Sequence, residues 1–100
     1  MIKLVVLYKK PVDPEAFDRY YFDTHLTFAK QLPGIVRLEV AKVQPAPADD
    51  EGFYMVSELC FDDGAALASA MQSTEGQQLR ADTANVATDD RIVRLVCAVS

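Results

Sequence analysis

At 100 residues, half hydrophobic and a quarter charged, the chain has the size and balance of one globular domain spanning residues 1–100. Its formal net charge of −5 and the lack of a clustered Lys/Arg face argue against a nucleic-acid partner, which needs such a face to neutralise phosphates. No apolar run reaches the roughly 18 residues that span a bilayer, and no small-residue cleavage site follows the opening "MIKLVVLYKK", so no membrane partner and a cytoplasmic location are expected.

Ile2 to Tyr8 reads as a strand that is apolar at both parities, with Ile2, Leu4, Val6 and Tyr8 on one and Val5 and Leu7 on the other. Such a strand is expected to be covered on both faces. In "KKPVDPE", Asp13 suits an N-cap, Pro14 the first helical position and Glu15 the positive end of the helix. The helix is expected over Pro14 to Gln31, with Phe17, Tyr20, Tyr21, Thr24, Phe28 and Leu32 on one face. Pro33-Gly34 stops it. "GIVRLEVAKV" is the second strand, and "QPAPADDEG" is expected to be a mobile, solvated loop joining it to an antiparallel neighbour.

Phe53 to Phe61 is the third strand, apolar at both parities apart from Ser57 and Glu58. "DDGAALASAMQ" is a short helix capped by Asp62 or Asp63. "STEGQQLRADTANVA" starts another, where Thr74 and Gln77 fit a capping box while Gly76 counts against helix. The last strand is expected over Ile92 to Val99.

The order β-α-β-β-α(α)-β is the α+β, ferredoxin-like pattern: a four-stranded antiparallel sheet with helices on one face. Helices cover one side only, yet the strands are apolar on both, and a soluble monomer avoids so large an exposed patch. Two copies packing sheet to sheet, a homodimeric α/β barrel, resolve the conflict. Burying several hundred Å² per subunit at ~25 cal/mol per Å² amounts to on the order of 10 kcal/mol before association costs. In this order the first strand lies between the third and fourth, so Cys60 and Cys97 sit two strands apart, ~9–10 Å, and are expected to be free thiols. With no CxxC and no second histidine, neither a zinc nor an iron–sulfur site is expected.

The one histidine, His25, falls on the inner flank of the first helix, about four residues beyond Tyr21 on the same side. An imidazole there suits proton transfer or a hydrogen bond to a polar group of an apolar ligand; it also suits a plain core position bonded to a backbone carbonyl. Tyr8, Tyr20, Tyr21 and Tyr54 carry the same two readings, as pocket wall or as core. Asp23 points away from His25. Glu58 is read as structural, facing a partner's Arg37 or Arg94 on the barrel side or the pocket on the helix side. Ser69, Ser73 and Thr24 have no nucleophile context.

A strand ending in Tyr8, then Lys10-Pro11, Phe17-x-x-Tyr20, His25, Ala29 and Leu32-Pro33-Gly34, resembles the EthD family, small proteins linked to degradation of ethyl tert-butyl ether. "STEGQQLRADTANVATDD" is similar to the family's Ser-x-Glu-Gly stretch and following Asp. The resemblance implies a dimeric α/β barrel and a helix–sheet pocket beside His25. It supplies no reaction, and related barrels include isomerases, cyclases, cofactor-free monooxygenases and haem-degrading enzymes.

Three functions follow as expectations. The first is cofactor-free acid/base chemistry on a small apolar or aromatic molecule, with oxidoreductase-, isomerase- or cyclase-like outcome. His25 and Tyr21 would be catalytic, and Tyr8, Tyr20, Phe28 and Tyr54 would line the substrate pocket. The second is a non-catalytic dimer that binds a hydrophobic metabolite. The third is a haem-dependent oxygenase with His25 as axial ligand.

Overall fold

The sheet is built of β1 (Ile2–Lys9), β2 (Arg37–Lys42), β3 (Phe53–Phe61) and β4 (Ile92–Ala98), in the order β2-β3-β1-β4 with every pairing antiparallel. The computed structural model describes residues 1–45 and 52–100. Most of the loop expected at "QPAPADDEG" therefore lies outside the described residues. The helices are α1 (Pro14–Tyr20), a π-helical turn (Tyr21–His25), α2 (Leu26–Lys30), α3 (Gly64–Gln72), α4 (Thr74–Val86) and a 3₁₀ turn (Asp89–Arg91). The architecture is α+β and ferredoxin-like, as the pattern of elements predicts. Among the described residues no helix is long and apolar enough to cross a membrane.

The caps explain most of the boundaries. The Asp13 carboxylate accepts from the Ala16 amide at 3.1 Å and Pro14 opens α1. Asp63, not Asp62, caps α3 by accepting from Ala66 N at 2.8 Å. The N-cap of α4 is Ser73, whose hydroxyl accepts from Gly76 N at 3.0 Å, so the box expected at Thr74 and Gln77 does not form. Gly76 is nonetheless helical. A Cβ there would sit 2.2 Å from the Ala70 carbonyl oxygen and 2.7 Å from that of Met71, so the bare backbone lets α4 start directly against the end of α3.

Four boundaries differ from the sequence reading, the first being β1, which runs to Lys9 rather than Tyr8. The single helix expected over Pro14 to Gln31 ends at Lys30 and is interrupted by the π-helical turn. The second strand is shorter than "GIVRLEVAKV", although Val36 N and Val43 N still donate to Cys60 O and Tyr54 O just beyond its ends. The last strand stops at Ala98, one residue short of Val99.

Cross-strand register assigns the faces. Leu4, Val6 and Tyr8 share the helix side with Leu59, Ser57 and Met55 of β3 and with Val96, Arg94 and Ile92 of β4. Two apolar cores form on that side. One gathers Ala29, Leu32, Leu59, Phe61, Leu67, Ala70 and Leu79; the other gathers Val6, Tyr8, Phe17, Tyr21, Met55 and Ile92. The opposite face carries Val5, Leu7, Val56, Val93 and Leu95, and none of these joins either core. Glu58 lies on that outer face and pairs with Lys3 at 3.3 Å; Arg94 lies on the helix face, so it is not a candidate for meeting Glu58 across a barrel interface. Cys60 and Cys97 flank Lys3 on either side and are free.

Candidate functional site

A cavity of about 670 Å³ lies between the two cores. The sheet floor comes from Leu4, Val6, Tyr8, Ser57, Leu59, Arg94 and Val96, and the helical roof includes Tyr21, His25, Leu67, Met71 and Leu79. Val96, 65% exposed, marks its open side on the edge strand β4.

His25 is buried to 4% exposure, deeper than the helical flank predicted. Its Nδ1 meets Asp82 Oδ2 at 2.8 Å. Asp82 projects from the inward face of α4, which also buries Gly76 and Leu79. Its carboxylate further accepts from the Tyr20 hydroxyl at 2.5 Å and from Asn85 Nδ2 at 3.1 Å. Burial alone would raise the Asp82 carboxyl, but the hydrogen bonds from Tyr20, His25 and Asn85 outweigh it and hold it below the usual aspartate value. An ionised carboxylate can only accept, so Nδ1 carries the proton of this contact. Nε2 has no hydrogen-bond partner among the described residues. It is not sealed off either, since no fully enclosed side-chain nitrogen or oxygen there lacks a partner. The ring of His25 lines the cavity.

The π-helical turn places this group. It buries only Tyr21 and His25 of its five residues, and single turns of this kind recur at functional sites. The Tyr21 hydroxyl hydrogen-bonds Ser57 Oγ on the cavity floor. Burial pushes the phenols of Tyr8 and Tyr21 above the ordinary tyrosine range, while the Ser57 hydroxyl pulls both the other way. Both phenols therefore stay protonated at neutral pH, and since the one Ser57 proton can serve only one of them, at least one phenol donates to Ser57 Oγ.

The expected site residues divide evenly. Tyr8, Tyr21 and His25 line the cavity. Tyr20, Phe28 and Tyr54 do not, which corrects their assignment to the pocket wall. The Tyr20 hydroxyl is committed to Asp82, beside the cavity. Phe28 packs against the core around Ala29 and Leu32. Tyr54 is skipped by the ladder, where the register jumps from Tyr8↔Met55 to Lys9↔Phe53. It turns to α1 instead, edge-on to Phe17 at 5.6 Å and donating to Asp18 Oδ1 at 2.8 Å. Asp23 is exposed, as expected. Asp82, Ser57, Arg80 and Arg94 escaped the sequence reading as site residues. For Asp82 a signal existed: Gly76, Leu79 and Asp82 follow helical spacing, which puts a carboxylate on the inward face of α4.

A family model, the EthD domain, matches residues 9–90. An uncharacterised 11.0 kDa protein from the thcB-thcC intergenic region of Rhodococcus erythropolis is 32% identical over 88 residues, 88% of this chain and 85% of that one. Among solved structures, an ethyl tert-butyl ether degradation (EthD) family protein of Bacillus halodurans C-125 superposes with a TM-score of 0.93 at 30% identity, covering 100% of this chain and 99% of that one. More distant structures share the fold. A dimeric ferredoxin-like protein of unknown function from Jannaschia sp. CCS1 gives a TM-score of 0.72 at 18% identity, covering 99% and 100% of the two chains. SnoaB, a cofactor-independent oxygenase from Streptomyces nogalater solved as a point mutant, gives 0.70 at 15% identity, covering 98% and 91%.

Proposed function

This chain belongs to the EthD family, and from that premise we propose that it is a homodimer that performs acid/base chemistry on a small, largely apolar molecule held in the helix–sheet cavity. The observation that carries the reading is the buried His25–Asp82 pair, bonded through Nδ1, whose imidazole lines the cavity. Asp82 holds the imidazole in one tautomer and one orientation. Nε2 takes a proton from an acidic C–H or O–H of the ligand, and the electron pair is left as an enolate or phenolate. Asp82 then faces the imidazolium that forms, and one phenol of the Tyr8–Ser57–Tyr21 cluster donates to the developing oxyanion. Return of the proton to a different carbon completes an isomerisation.

That first proton abstraction is common to isomerases, cyclases and cofactor-free oxygenases, and it needs only groups this chain possesses. The fold shared with SnoaB is compatible with it and carries no more weight than fold-level analogy. The homodimer rests on the outer sheet face, where Val5, Leu7, Val56, Val93 and Leu95 form a contiguous apolar surface outside both cores.

The test is turnover of phenolic and lactone compounds by the wild type and by His25→Ala. A fall of roughly 10²–10⁴ in kcat is expected when a placed general base is removed. Unchanged turnover in a folded variant would remove His25 from the mechanism. Ligand recovered chemically intact after long incubation would reassign the protein as a binding dimer.

A further inference from the structure

Two guanidinium side chains stand where the main cavity meets a second, smaller chamber of about 310 Å³. Arg80 of α4, Arg94 of β4 and Thr83 line both spaces. The chain carries a net charge of −5, with 15 acidic residues against 10 basic ones, yet no carboxylate lines the main cavity among the described residues. Asp82 is held behind the His25 ring by three hydrogen bonds. The two arginines therefore place positive charge at the neck of an otherwise apolar hollow in an acidic protein.

That charge is poorly neutralised within the chain. Arg80 has no ion-pair partner among the described residues. Arg94 has one, Asp89 Oδ1 at 3.7 Å, but the Asp89 side chain is 95% exposed, and so long and solvated a pair is weak. Asp89 also lines the smaller chamber, so a ligand group there meets two guanidinium groups and one yielding carboxylate. A wholly neutral apolar ligand would gain nothing from this arrangement. A planar carboxylate would accept charge-assisted, bidentate hydrogen bonds from either arginine.

We propose that the ligand class is an apolar or aromatic carboxylic acid, bound with its hydrocarbon body against Leu4, Leu59, Leu67 and Leu79 and its carboxylate at the Arg80–Arg94 neck. The proposal rests on the reading of the cavity as a ligand site and adds to it the charge and orientation of the ligand. The carboxylate fixes which end stays at the mouth, so the apolar end enters toward the roof that holds Tyr21 and His25. Polar substituents next to the carboxylate would extend into the smaller chamber beside Thr83 and Thr88.

Calorimetric titration with 2-naphthoate and its neutral isostere 2-naphthamide tests this directly. The wild type is expected to bind the carboxylate about tenfold or more tighter than the amide, as a charged hydrogen-bonded contact implies. In R80Q/R94Q the two affinities should converge to within about twofold, because the charged contact that separates them is lost. If the double variant does not fold, R80Q alone, at an exposed and unpaired helical position, should still cut the preference severalfold. Equal affinities in the wild type, or a preference that survives in the variants, would overturn the proposal while leaving the cavity a ligand site. Binding of neither probe would overturn both readings.

Discussion

His25 and Asp82 are 57 positions apart in the chain, yet their side chains meet at 2.8 Å between the π-helical turn and α4. This one contact ties the two helices over the cavity and fixes a proton on Nδ1. Asp82→Asn keeps the shape but removes the charge that stabilises an imidazolium. It is expected to lower kcat by about 10²-fold with KM little changed, since the lost interaction strengthens only as the ring is protonated. Steady-state kinetics on any substrate that His25→Ala fails to convert would check it. Asp82→Ala should instead cost about 1–3 kcal/mol in stability, because it strands the buried His25 nitrogen and the Tyr20 hydroxyl. Urea denaturation measures that loss.

The same carboxylate sets an acid limit on stability. Its folded value lies below its unfolded one, so the unfolded chain binds the proton more readily. The stabilisation is fully present above the ordinary aspartate value, near 3.8, and is lost as pH falls through the lower folded value. Between pH 6 and pH 3 the wild type should therefore lose more stability than Asp82→Asn, which cannot take up that proton. Parallel urea curves at the two pH values test the difference, and equal losses would contradict it.

Gly76→Ala separates two opposing effects. In an exposed helix interior, Ala would be favoured over Gly by about 1 kcal/mol. Here the added methyl would press on the Ala70 and Met71 carbonyls at 2.2 and 2.7 Å, and these belong to the backbone of α3 and cannot rotate away. Overpacking of this kind costs about 1–3 kcal/mol and should outweigh the propensity gain. A lowered urea midpoint at unchanged slope is the expected result.

How much was legible follows from what each signal depends on. The bounds of β3 are local: a run apolar at both parities, apart from Ser57 and Glu58, lies between turn residues and marks Phe53–Phe61 at both ends. Asp13-Pro14 marks the start of α1 just as locally. The π-helical turn has no such mark, because nothing in "YFDTH" separates a widened turn from a regular one. His25, the last residue of that turn, is buried. The place of Tyr54 depends on a one-residue slip in the ladder, which alternation within its own strand does not register. Arg80 and Arg94 come from a helix and an edge strand that meet only through packing. Asp82 lies between these cases. Its inward position follows from spacing, but its partner follows only from the way α4 settles against the first helix.

The outer sheet face gives the last prediction. Leu7 pairs with Val56 on one side and Val93 on the other, and Val5 with Leu95 stands in the adjacent row. Leu95 is 47% exposed in the isolated chain. Lys3–Glu58 and Arg37–Glu39 pairs flank this patch on the same face, so its apolar centre has a charged border. Such a centre and rim fit the proposed sheet-to-sheet contact between copies of the chain. Leu7→Lys would place an ammonium at the middle of two packed sheets. The fold on the helix side does not use Leu7, so the variant should still form its cores. Sedimentation equilibrium should then show a dimer for the wild type and a monomer for Leu7→Lys, with a lower melting temperature that no longer rises with protein concentration. A wild-type chain that sediments as a folded monomer at micromolar concentration would refute the sheet-to-sheet dimer and leave the cavity chemistry untouched, because His25, Asp82 and both arginines lie on the opposite side of the sheet from Leu7.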